Sequence, residues 1–103
     1  MCLSYPKNLA PRKEVVIKVN VERAATIWWR FNTEAPANTL HFTLLRVDAG
    51  NNHELVPNQK YECKQAVIDC RDVQPGSYHL IWANQESIVK SKMLAYEVLT
   101  HEL

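Results

Sequence analysis

The hydrophobic positions of this chain recur every second residue. In Val15–Glu22, residues 15, 17, 19 and 21 are β-branched and apolar, whereas 18, 20 and 22 are polar. Successive strand side chains point to opposite faces, so this alternation predicts a half-buried strand. Thr26–Asn32 follows, with Ile27, Trp29 and Phe31 on one face and Trp28, Arg30 and Asn32 on the other. Leu40, Phe42 and Leu44 form the inner set of a third strand, and the alternation slips at Leu45-Arg46-Val47, which predicts a bulge or bend. Leu55-Val56 and Lys60–Cys63 read as two short strands separated by Pro57-Asn58, and Ala66–Cys70 as another. Gln74-Pro75-Gly76-Ser77 predicts a type II turn. Tyr78, Leu80 and Trp82 then share a face, and Leu94, Tyr96 and Val98 alternate with Ala95, Glu97 and Leu99. No segment carries a helical stripe. Seven or eight short strands bounded by turn signals predict an all-β fold, an antiparallel, jelly-roll-like β-sandwich, with Trp29, Phe31, Phe42, Tyr78 and Trp82 filling the space between its sheets. An immunoglobulin-type sandwich is the weaker match, because the Cys-Trp-Cys spacing is missing.

Composition narrows the function classes. The chain has 103 residues, one domain's worth, and is 47% hydrophobic, enough to fill one core. Residues 1–13 read as a flexible N-terminal arm and 14–103 as the sandwich domain. Twelve basic against 11 acidic residues leave a formal charge of +1, which speaks against a nucleic-acid partner. No run approaches the roughly 20 apolar residues of a membrane helix, and Met1–Arg12 has no signal-peptide core, so no transmembrane segment is expected and a cytoplasmic location is. Cys2, Cys63 and Cys70 are an odd set without Cys-x-x-Cys spacing. Free thiols in a reducing compartment are the expectation, although Cys63 and Cys70 are able to pair if neighbouring strands bring them together.

Catalytic constellations are lacking: no nucleophile elbow, zinc-protease, phosphate-loop or calcium-loop spacing occurs, so the chain is not expected to be an enzyme or to hold a cofactor or metal. His41 and His79 point outward from predicted strands. Two imidazoles on one face are half a metal site, but no third ligand is spaced to complete it. The outward Trp28, flanked by Arg30, is either an interface anchor, since tryptophan and arginine dominate binding hot spots, or a core residue covered by the N-terminal arm or a loop. Trp28, Arg30, His41 and His79 are thus the protein-binding candidates. Lys60, Lys64, Lys90 and Lys92 are the lipid-binding candidates, if their loops meet at one end of the sandwich to form an anionic-headgroup site.

Three stretches read together give a family resemblance. They are Ile27–Glu34 followed by Phe42-Thr43-Leu44; Leu55–Tyr61; and Pro75-Gly76-Ser77-Tyr78-His79-Leu80-Ile81-Trp82-Ala83-Asn84 followed by Ser87 and Ser91-Lys92-Met93-Leu94-Ala95-Tyr96-Glu97-Val98. In order and spacing they resemble the GOLD (Golgi dynamics) domain over about residues 14–100. Ala83 stands where the family usually carries Asp, and Arg30 where an acidic residue is common. The resemblance points to the cytosolic branches: Sec14-like proteins, the Golgi acyl-CoA-binding-domain adaptor, and the FYVE and coiled-coil autophagy adaptor. It implies a non-catalytic module of a larger membrane-trafficking or lipid-transport protein that binds a protein partner, peripherally at Golgi or endosomal membranes. The alternative it implies is a module that binds lipid headgroups, an anionic phospholipid, beside a neighbouring lipid-transfer domain. An end at Leu103, just past the last strand, fits the C-terminal position of such domains.

Overall fold

A computed structural model describes residues 2–33, 39–62, 65–85 and 92–103, with backbone alone for 2–7 and 92. Among the described residues there are eight strands: β1 (Cys2–Leu9), β2 (Glu14–Val21), β3 (Ala25–Thr33), β4 (Thr39–Asp48), β5 (Asn51–Glu62), β6 (Val67–Val73), β7 (Gly76–Ala83) and β8 (Lys92–Glu102). They form two four-stranded antiparallel sheets, ordered β1-β8-β3-β6 and β2-β7-β4-β5. The pairs β1–β8, β2–β7, β3–β6 and β4–β5 are nested one inside another, which is the wiring of a jelly roll. The expected fold class is therefore the observed one.

The alternating apolar residues meet between the sheets. Trp29, Phe31, Phe42, Tyr78 and Trp82 are all buried, as are Leu94, Tyr96 and Val98. Phe31 lies 5.2 Å from Phe42 and 5.7 Å from Trp82, ring centroid to centroid, and Trp82 stacks on Tyr96 at 5.1 Å. Rings from opposite sheets thus interlock in offset and edge-on geometries, which the ring quadrupole favours over direct face-to-face stacking. Each such ring removes about 150–250 Å² from water, an upper-bound gain of about 4–6 kcal/mol at about 25 cal/mol per Å².

Three sequence expectations are corrected. Residues 2–9 are not a loose arm. They pair with β8 along their whole length, and Leu9 is buried in the core. Pro6 sits on an edge strand, where a missing N–H costs no ladder bond on the open side. Pro57 does not divide a strand either: β5 runs through it at the other sheet's edge, and the register against β4 shifts between Phe42 and Leu44. There Thr43 donates its hydroxyl to the Val56 carbonyl at 2.7 Å.

The bulge expected at Leu45-Arg46-Val47 is present on one side of β4, where the register against β5 shifts again between Leu44 and Leu45. The β4–β7 register runs unbroken through it, and Arg46 simply occupies an inward position opposite Tyr78. Its guanidinium lies 5.9 Å from the Tyr78 ring centre, donates to the Pro75 carbonyl at 3.1 Å and pairs with Asp48 at 3.2 Å. Finally, Gly76 has φ of 158°, not the roughly +80° of a type II turn, and it opens β7. That φ strains any side chain, and a Cβ would also meet the flexible end of Arg46 at 3.3 Å, so glycine is favoured here by its backbone conformation first.

Candidate functional site

The strand alternation that buries Ile27, Trp29 and Phe31 sends Trp28, Arg30 and Asn32 to the outer face of the β1-β8-β3-β6 sheet. Cross-strand register decides their neighbours. Trp28 stands opposite Cys70 on β6 and Leu99 on β8. Arg30 stands opposite Ile68 and Glu97, and Thr26 opposite Asp72 and His101. Residues directly opposite share a face at Cβ separations of about 4.5–5.5 Å, so these are three rows of touching side chains.

The middle rows are unusual for a solvated sheet face. Trp28 is 44% exposed, Ile68 64% and Leu99 42%. Scattered exposed apolar residues are normal, but a contiguous set on one face marks an interaction site. Trp28, Trp29, Arg30, Ile68, Glu97 and Leu99 line one shallow depression. Across it Arg30 Nη2 pairs with Glu97 Oε1 at 3.2 Å. The pair is largely solvated and adds little stability, and it lines the same depression as Trp28. The third row closes the patch with polar groups: Thr26 donates its hydroxyl to Asp72 Oδ1 at 2.6 Å. Cys70 is partly exposed and free of any disulfide.

The protein-binding candidates do not gather at one place. Trp28 and Arg30 are neighbours on this face. His41 and His79 are half-buried on the outer face of the other sheet. There His41 stands opposite Ala83 and His79 opposite Leu45. Four residues of strand separate them, about 13 Å at about 3.3 Å per residue. The half metal site pictured from sequence is therefore not assembled. Among the described residues no three His, Cys, Asp or Glu side chains stand together to hold a metal. Of the lysine candidates, Lys60 lies on β5 opposite His41. Lys92 opens β8 opposite Leu9, and its side chain, like the whole of Lys64 and Lys90, lies outside the described residues, as does Cys63.

Sequence reading marked Trp28 and Arg30 but did not single out Ile68, Leu99 and Glu97. Leu99 was legible as an outward position. What joins it to Trp28 is the β3–β8 register, a pairing between distant segments that periodicity does not encode.

No protein-family model matches the chain, and no curated protein does. Among solved structures, the chain superimposes on the Yersinia pseudotuberculosis-derived mitogen with a TM-score of 0.70 at 15% identity. The match covers 100% of this chain and 88% of that one. At this identity the likeness concerns the sandwich fold alone. Among the described residues, no helix is long and apolar enough to cross a membrane.

Proposed function

We propose that this chain is a non-catalytic protein-interaction module of a larger membrane-trafficking or lipid-transport protein, working at the cytoplasmic surface of Golgi or endosomal membranes. One observation carries the interaction part: Trp28 is exposed on a sheet face, between Leu99 and Cys70 and next to the Arg30–Glu97 pair. An exposed indole in one depression with Ile68, Leu99 and an arginine has the composition of an interface hot spot. The trafficking part rests on the motifs that resemble GOLD domains. Most of those residues, including Trp29, Phe31, Tyr78, Leu80, Trp82 and Tyr96, are buried, so they support a fold kinship and leave the binding to the outer face.

Affinity capture from Golgi-enriched membranes tests this with Trp28→Ala beside the unchanged protein. The expected outcome is loss of specifically captured partners at unchanged thermal stability. Partners retained by the variant would sink the reading.

Headgroup binding is the second reading. It is favoured by topology: Lys60 near the end of β5 and Lys92 at the start of β8 both lie toward the end of the sandwich where β3 stops and β4 begins. Replacing Lys60 with Glu is expected to reduce co-sedimentation with anionic vesicles at low salt under this reading. Binding indifferent to salt and to the substitution would exclude it.

A further inference from the structure

β6 is an edge strand that, among the described residues, pairs with β3 alone. An open edge invites a further strand, and proteins commonly blunt such edges with charge. The charges on β6 are instead self-complementary. Its sequence is Val-Ile-Asp-Cys-Arg-Asp-Val, residues 67–73. Antiparallel pairing with a second copy about a twofold at Cys70 sets Asp69 against Arg71 of the other copy, twice. The same register sets Val67 against Val73, Ile68 against Asp72, and Cys70 against its own equivalent.

We propose that β6 is the contact by which two copies of this chain join, forming one continuous eight-stranded sheet. Edge charges of one sign would repel a second copy, but Asp69 and Arg71, one on each side of the centre and both exposed, attract it. Asp72 stands opposite Ile68 with its carboxylate oriented by the Thr26 hydroxyl at 2.6 Å and exposed to water, so it opposes no like charge. In the single copy Asp69 Oδ1 accepts the Cys70 N–H at 2.8 Å. Joining exchanges that contact for the partner's guanidinium and frees the central N–H of the edge for the new ladder.

The apolar row supports the same register. Leu99, Trp28 and Cys70 lie straight across three neighbouring strands. A twofold normal to the sheet continues them into Cys70, Trp28 and Leu99 of the second copy on the same face. The dimer thus presents two Trp28 anchors on one face, three strand spacings apart, about 14 Å at about 4.8 Å each. The inference is independent of what those anchors bind, because it rests on the edge charges and their spacing.

Light scattering and analytical ultracentrifugation under reducing conditions over a wide concentration range test it. The expected result is a concentration-dependent species of twice the 11.9 kDa chain mass. Asp69→Arg and Arg71→Asp, each placing like charges opposite one another, are expected to weaken it about tenfold or more. Mixed together, the two variants regain complementary pairs and are expected to form a heterodimer. The milder Asp69→Asn and Arg71→Gln variants should each weaken association, because neither homodimer keeps an ion pair, and mixing them restores one of the two pairs and so a partial recovery; circular dichroism checks that all four are folded. A monomer at every concentration would overturn the inference. So would a dimer indifferent to charge reversal, failure of the mixed reversed variants to associate, or a dimer lost with Trp28→Ala but not with either reversal, which would signify packing of two sheet faces.

Discussion

Asn84 has no solvent exposure although its side chain is fully polar. Its Nδ2 donates to the Leu9 carbonyl at 3.1 Å, its own N–H to the Lys13 carbonyl at 3.0 Å, and its carbonyl accepts from Arg12 N–H at 2.8 Å. One residue after β7 therefore ties down the turn between β1 and β2. That turn has Pro11 at its second position, Arg12 at φ 61° and a Lys13 N–H bond to the Ala10 carbonyl at 3.1 Å. The φ at Arg12 is of the kind expected in a type II turn, here held without glycine. The role of Asn84 is architectural. Asn84→Ala strands the Leu9 carbonyl in a buried setting, so a loss of about 1–3 kcal/mol is expected in urea unfolding. A loss within error of zero would show that the clamp is dispensable.

The strands vary in how plainly they can be read. β3 and β7 alternate without exception between buried and exposed or half-buried positions over their central residues, because both faces of a central strand are fixed by neighbours. They were legible from residue pattern alone. β1 and β5 were not, and both lie at sheet edges. An edge strand tolerates proline and polar residues, so Pro6 and Pro57 imitate breaks. The break in alternation at Arg46 has two sources: the register against β5 shifts between Leu44 and Leu45, and the inward position that Arg46 fills lies where its guanidinium reaches the Pro75 carbonyl. The binding candidates followed the same division. The outward direction of Trp28 came from period two, whereas its row with Cys70 and Leu99 came from pairings across more than 40 residues of chain. The strand status of β1 yields a direct test. Leu9 is 2% exposed within the core, so Leu9→Ala is expected to cost about 2–4 kcal/mol in chemical denaturation. A loose arm would give no change.

Nested pairing imposes an order on loop closure for the molecule as a whole. β4 and β5 are joined by two residues, Ala49 and Gly50, both at positive φ (34° and 90°), as the mirror-image hairpin turns require. Every other pair in the nest spans more chain: β3–β6 encloses the hairpin, β2–β7 encloses that, and β1–β8 joins the two ends. Closing a loop costs more entropy the longer it is, and once an inner pair has formed, the effective loop of the next is shortened. The chain is therefore expected to fold outward from the β4–β5 hairpin and to dock β1 last. Ala49 is strained at its φ, and Asn tolerates that conformation better, so Ala49→Asn is expected to stabilise by about 0.5–1 kcal/mol. Chevron analysis by tryptophan fluorescence distinguishes the two ends of the nest. Ala49→Asn should appear mainly as faster folding, and Leu9→Ala mainly as faster unfolding. If Leu9→Ala instead slowed folding in proportion to its full equilibrium cost, β1 and β8 would already be joined in the transition state, and the outward order would be wrong.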